Sequence, residues 1–300
     1  MKAVFLGTPE AAVPSLRALA GIADVRAVVT RPDRPRGRSG RPVPSEVAGV
    51  AEELGLPVVR PENSGQLGEA IVGLGPIEVG LVVAFGMILR PEVLTAARFV
   101  NVHFSLLPRW RGAAPVQRAV MAGDSRTGVS LMAMDEGLDT GPILATHSTA
   151  IGAREDAEAL TRRLADMGGD LVARWLPALH SLAAAPQNEA LATLAPKLTG
   201  EERWLDPATT GVESAIAAVR GLTPWPGAWV RHATGRLRLK EVGRGTIDGP
   251  PGILRVVDGA LELVVRDGSI RLDVVQPEGR RAMPGMDWAR GRGADLGSVT

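Results

Sequence analysis

Short, uninterrupted apolar runs alternating with stretches of helical period restrict the first half of this chain more than any other feature. KAVFL at 2–6, VRAVVT at 25–30, LPVV at 56–59, VGLVVA at 79–84, FVNVH at 99–103 and GVSLMAM at 128–134 read as strands. Between the first two, Val13, Leu16 and Leu19 recur on one face of a helix over roughly 10–20. A second helix is predicted over 45–54, with the Ser45 hydroxyl as its cap. Strands that show no apolar–polar alternation are buried on both faces, and helices between them make parallel connections. The expectation is an α/β, doubly wound (Rossmann-like) sheet with its ligand at the carboxyl ends of the strands.

After residue 203 the pattern changes. A helical stretch at 209–220 leads to alternating runs at 236–242, 253–257, 261–265 and 270–275, punctuated by Gly and Asp. Such spacing predicts a small antiparallel β-barrel. The domain division read from this is 1–184, a linker at 185–203 containing Pro186 and Pro196, and a smaller barrel domain at 204–300.

Composition removes several chemistries. The 300 residues include no cysteine, so disulfides, thiolate metal sites and thiol nucleophiles are excluded. The four histidines, His103, His147, His180 and His232, lack metal-ligand spacing, and no metal is expected. The first turn, Gly7-Thr8-Pro9, is not a G-x-G-x-x-G loop, and Pro9 removes an amide that a pyrophosphate would use; no NAD is expected. No apolar run reaches membrane-spanning length, and MKAVFLGTPE reads as strand and turn rather than leader peptide, so a cytoplasmic location is expected. A net charge of +1 means that any nucleic-acid surface must be local.

Asn101 and His103 stand two apart in a predicted strand, so both side chains leave the same face. Asp139 lies in the Gly-rich turn MDEGLDTGP that follows the strand at 128–134. If both strand ends lie at the carboxyl edge, an amide donor, an imidazole and a carboxylate meet there. That set suits a tetrahedral acyl-transfer intermediate, with an oxyanion donor beside acid–base groups. Each also has a structural explanation: a satisfied core histidine, a strand asparagine and a turn cap at Asp139, with Asp135 as a rival carboxylate. Ser105 follows His103 closely, but no G-x-S-x-G elbow surrounds it.

NVHFSLLPRWRGAAPVQRAVMAG (101–123) and MDEGLDTGP (134–142) resemble the folate-dependent formyltransferase superfamily, and within it the methionyl-tRNA formyltransferase family. The resemblance extends through FLGTPEAAVPSL, RPDRPRGR at 31–38, VVAFGMIL at 82–89, APKLTGEE at 195–202, TPWPGAW at 223–229 and VQPEGRRAMPGMDWARG at 275–291. It implies transfer of a formyl group from 10-formyltetrahydrofolate, as co-substrate, to the α-amino group of methionyl initiator tRNA by a monomeric enzyme. Asn101, His103 and Asp139 match the family's catalytic positions. Ser105, Leu106, Leu107 and Pro108 are implied to line the folate site, with Phe85, Gly86, Met87, Ile88 and Leu89 enclosing the pterin. The loop 31–44 holds five arginines and one aspartate, and composition alone makes it a solvated loop. The resemblance implies tRNA contacts there from Arg34, Arg36, Arg38 and Arg41, and makes the C-terminal barrel OB-like and tRNA-binding. The loop departs from the family in carrying Gly40-Arg41 in place of paired lysines. Three other readings stand beside this one: a formyltransferase for another amine such as an amino sugar nucleotide, a 10-formyltetrahydrofolate hydrolase, and a non-catalytic folate- or RNA-binding protein.

Overall fold

The structure is a computed structural model, and it describes residues 1–35, 40–293 and 296–300. The chain divides into two compact units that interleave in sequence. The first comprises Met1–Gly112, Arg126–Ala150 and Thr161–Ala195; the second comprises Ala113–Ser125, Ile151–Leu160 and Pro196–Thr300. The segment expected as a linker therefore divides, its residues up to Ala195 grouping with the first unit.

The first unit is built on β1 (Lys2–Gly7), β2 (Asp24–Val29), β3 (Val58–Val59), β4 (Val79–Val83), β5 (Arg98–His103), β6 (Arg126–Ala133) and β7 (Ile143–Ala150). Among the described residues these form one sheet in the order β3-β2-β1-β4-β5-β6-β7. The first five strands are parallel, as the doubly wound reading requires. The order reverses between β1 and β4, which is the switch point where such sheets leave a crevice at their carboxyl edge. Contrary to the all-parallel expectation, β6 and β7 run antiparallel. The sequence misleads here because β6 is buried along nearly its whole length and so lacks the alternation of a half-exposed antiparallel strand. Only β7, at the edge, shows a mixed pattern.

Helices cover both faces. On one, Leu67 and Ile71 of α3 (Ser64–Gly73) pack against Val4, Leu6, Val29, Val82 and Phe99. On the other, Val102 meets the helix Ala157–Trp175 at Gly168, where a Cβ would lie 3.0 Å from Val102 Cγ1. α1 (Val13–Ile22) buries Leu16 and Leu19 completely. α2 (Glu46–Glu53) is capped as its sequence predicts, Ser45 Oγ accepting from the Ala48 N–H at 3.1 Å.

The second unit holds a curled antiparallel sheet of β8 (Trp229–His232), β9 (Gly235–Arg244), β10 (Leu254–Val257), β11 (Ala260–Val265), β12 (Gly268–Pro277) and β13 (Met283–Pro284). Its order is β8-β9-β12-β11-β10, with β13 on β12. The chain's last residues join the two edges: Val299 bridges His232 on β8, and Ser298 bridges Ile253 beside β10. The core is filled by Leu237, Leu239, Leu263 and Ile270 from the strands and by Val219 and Leu222 from the helix Val212–Leu222. On that helix, Gly221 leaves no room for a side chain, since a Cβ there would come within 2.4 Å of Met121 on the helix Pro115–Met121. Among the described residues, one carboxylate is enclosed in this unit. Glu262 on β11 is 2% exposed and accepts from the Thr246 and Ile247 amides and the Thr246 and Ser269 hydroxyls at 2.7–3.2 Å. Burial pushes the Glu262 carboxyl up, but these donors outweigh it and hold it below the usual glutamate value.

Candidate active site

β5 ends at the carboxyl edge of the sheet, and its last turn of pleat presents Asn101 and His103 on the face that also carries Phe99. The two are 9% and 6% exposed. Asp139 joins them by a route the sequence does not reveal. Because β6 is antiparallel to β5, it ends opposite Val100, away from the carboxyl edge. The loop between β6 and β7 then turns back over the face of β5, where Met134 packs against the cluster containing Phe99. Asp139 thereby comes to lie with Oδ1 3.5 Å from Asn101 Nδ2 and Oδ2 3.6 Å from His103 Nδ1. The trio converges, but by a loop folded across the sheet rather than by two strand ends at one edge.

The loop chooses between its two aspartates. Asp135 Oδ1 accepts from the Gly137 N–H at 3.1 Å and the Thr140 hydroxyl at 2.7 Å, so the rival carboxylate closes the turn itself. Asp139 sits in the left-handed region at φ 53°, which an aspartate tolerates better than most side chains. Its Oδ2 accepts the Gly112 N–H at 2.8 Å. Gly112 has φ 122° and its missing Cβ would stand 2.7 Å from the Ala195 carbonyl, so only glycine brings this amide to the carboxylate.

His103 is oriented from its other side. Nε2 lies 2.8 Å from the Trp110 carbonyl oxygen. A carbonyl accepts only, so Nε2 carries the proton and Nδ1 is the nitrogen turned toward Asp139. The ring can donate a hydrogen bond from Nδ1 only when it is doubly protonated.

The two segments read as folate-lining leave the same edge, because β4 and β5 are parallel neighbours. After β4, Phe85 and Leu89 turn into the core, Met87 packs on it half-buried, Ile88 is 80% exposed and Gly86 has φ 73°. The Gly86 carbonyl accepts from the Arg31 guanidinium at 2.8 Å. After β5, the Ser105 hydroxyl is fully buried and donates to the Arg109 carbonyl at 2.6 Å, while Ser130 Oγ on β6 bridges the Ser105 carbonyl and the Leu107 N–H. Leu107 is buried, and Leu106 and Pro108 are half-buried. Ser105 thus fixes the shape of the segment rather than offering its hydroxyl outward. Of the four loop arginines, Arg34 is exposed on a short strand, Arg34–Pro35, paired with Pro42–Val43, and Arg41 is exposed just before that second strand. Arg36 and Arg38 lie outside the described residues.

Three groups with no side-chain signature in a strand or helix complete the site: the Trp110 carbonyl, the Gly112 amide, and Gln187, whose Nε2 donates to the Asp139 and Gly141 carbonyls at 2.9 and 2.7 Å. The main-chain groups leave no trace in residue type, and Gln187 falls in a segment whose composition reads as linker.

Residues 1–176 match the family model described as Formyl transferase, and residues 197–293 match Formyl transferase, C-terminal domain. The chain belongs to the formyl transferase family. Within it, the chain is 45% identical over 301 residues to the methionyl-tRNA formyltransferase of Halorhodospira halophila, covering 96% of each. It is 44% identical to a methionyl-tRNA formyltransferase of Thermus thermophilus, over 99% of this chain and 98% of the other. Among solved structures, WlaRD, a sugar 3N-formyl transferase, shares the fold with TM-score 0.71 at 15% identity over 94% of this chain and 99% of its own. HypX from Aquifex aeolicus in complex with tetrahydrofolic acid gives TM-score 0.65 at 16% identity, covering 100% of this chain and 50% of that one.

Proposed function

We propose that this enzyme transfers the formyl group of 10-formyltetrahydrofolate to the α-amino group of methionyl initiator tRNA, with Asn101, His103 and Asp139 as its catalytic residues. The observation that carries this reading is the meeting of an amide donor, an imidazole and a carboxylate within 3.6 Å at the end of β5, in a chain so close to named methionyl-tRNA formyltransferases. The substrate amine attacks the formyl carbon, and the carbonyl oxygen becomes an oxyanion. Asn101 Nδ2 donates to that oxyanion, and His103 donates from Nδ1 when its ring is charged. Asp139 accepts the proton leaving the amine and passes it to the folate nitrogen, as the oxyanion re-forms the carbonyl and the bond from the formyl carbon to that nitrogen breaks. The segments 85–89 and 105–108 flank the edge at which the folate lies, and the Arg loop and the barrel engage the tRNA. The enzyme acts as a monomer in the cytoplasm, without a metal or NAD. Among the described residues no helix is long and apolar enough to cross a membrane.

The test is to offer the purified full chain 10-formyltetrahydrofolate and methionyl initiator tRNA and to look for formyl-methionine. Product appearing with an amino sugar nucleotide, and none with tRNA, would replace the acceptor. Formate released without any acceptor would make the enzyme a hydrolase.

Arg34→Ala, Arg38→Ala and Arg41→Ala are expected to raise KM for tRNA at low salt. Each lost phosphate contact should reduce the slope of log affinity against log salt by about one. An unchanged slope in all three variants would remove the loop from the tRNA interface.

A further inference from the structure

We infer that Gln187 is a positioning residue for the reaction: it holds the backbone at Asp139 so that the carboxylate faces Asn101 and His103. This rests on Asp139 being the reacting carboxylate. Its Nε2 donates to both the Asp139 carbonyl at 2.9 Å and the Gly141 carbonyl at 2.7 Å. Its Oε1 accepts from Arg111 Nε at 2.9 Å. The orientation of the amide follows from its partners, since carbonyls cannot donate and a guanidinium N–H cannot accept.

The Asp139 turn needs such a clamp. Asp139 adopts φ 53°, outside the backbone regions that side chains prefer, so surrounding contacts must hold it there. Gly141 leaves no slack, because a Cβ on it would stand 1.8 Å from the Ala133 carbonyl. Gln187 is itself anchored. Arg111 is 5% exposed and its two terminal nitrogens reach both carboxylate oxygens of Glu189 at 2.8 and 2.7 Å. The hydrogen bonds that Arg111 donates to the Glu189 carboxylate raise its pKa above the ordinary value despite burial, so the guanidinium stays charged. Arg111 also exchanges backbone hydrogen bonds with Thr193 and Ala195. The next residue, Gly112, supplies the amide that binds Asp139 Oδ2. One anchor, residues 110–112 with 187–195, therefore fixes the aspartate from both its main chain and its carboxylate, and its Trp110 carbonyl also fixes the tautomer of His103.

Only a carboxamide carries a two-donor nitrogen and an acceptor oxygen in this geometry. Gln187→Glu keeps the shape and the Arg111 contact, but sets a carboxylate oxygen against two carbonyl oxygens. We expect Gln187→Glu and Gln187→Ala to lower kcat by tenfold or more, a displacement near 1 Å being worth up to about 100-fold. KM for folate and tRNA should stay within twofold, the variants should remain fully folded at the assay temperature, and amide exchange in the peptide 135–142 should accelerate. Glu53→Gln, which breaks only an exposed ion pair with Arg17, should stay within threefold of the parent enzyme. Asp139→Asn is measured beside them. Parental kcat in Gln187→Glu while Asp139→Asn is inactive overturns the inference alone. A kcat lost together with KM and with folding at the assay temperature also overturns it, by making Gln187 a general structural residue. An active Asp139→Asn overturns the catalytic reading and this inference with it.

Discussion

Asp139→Asn and His103→Ala are each expected to lower kcat by about 10²–10⁴-fold, the range that general acid–base groups contribute. Asn101→Ala should cost about 10²–10³-fold, as loss of one oxyanion donor does, or roughly 2.7–4 kcal/mol of transition-state stabilisation. The three losses should be far from additive. Asn101 and His103 each face Asp139, so removing one member leaves the others aimed at an incomplete site. Folate binding should survive in all three, because the segments flanking the edge are held by Ser130, Arg31 and the core rather than by the trio. The measurement is single-turnover formyl transfer together with equilibrium folate binding. Lost folate affinity with retained turnover would sink the assignment of the trio.

Glu262→Ala is expected to destabilise the barrel unit by about 2–4 kcal/mol, because the Thr246 and Ile247 amides lose a buried acceptor. Glu262→Gln should cost less, since one acceptor oxygen remains. The two also differ in acid. The carboxyl of Glu262 lies below the ordinary glutamate value in the folded state, so its contribution is complete above the unfolded value of about 4.3 and is lost as pH falls through the folded value. The Glu262→Gln variant lacks that titration, and its deficit against the parent should shrink as the solution is acidified. Hydrogen exchange of the peptide 245–271 reads the barrel separately from the rest of the chain. A deficit independent of pH would mean that the carboxylate's charge contributes nothing to this clasp.

The sequence reveals local structure more fully than it does the meeting of distant pieces. The β5 pleat could be read because Asn101 and His103 interrupt an apolar run at spacing two, and the α2 cap because Ser45 stands where a helix begins. The antiparallel turn of β6 could not, since a fully buried strand carries no mark of its direction. Residue type and spacing alone do not separate Asp139 from Asp135, which the resemblance does; the structure adds that the Gly137 amide and Thr140 hydroxyl are taken by Asp135. Residues 185–195 lack periodicity because they are held by Arg111 and by isolated bridges to Ile143 and Arg111, contacts that reward no repeating pattern. The barrel strands were spaced visibly, but the short helix Gly285–Arg290 and the closing of the edges by Ser298 and Val299 depend on partners far along the chain.

The interleaving of the two units has a consequence for inheritance. Residues 113–125 and 151–160 belong with the barrel although they are encoded within the stretch that otherwise builds the seven-stranded sheet. A crossover that exchanged everything after Ala195 would import a new helix in place of Val212–Leu222 while leaving the old Pro115–Met121 to receive it. At that junction Met121 accepts only a residue with no side chain at 221. A foreign barrel grafted after Ala195 therefore folds well only if it brings glycine to position 221, or if the stretch 113–125 is exchanged with it.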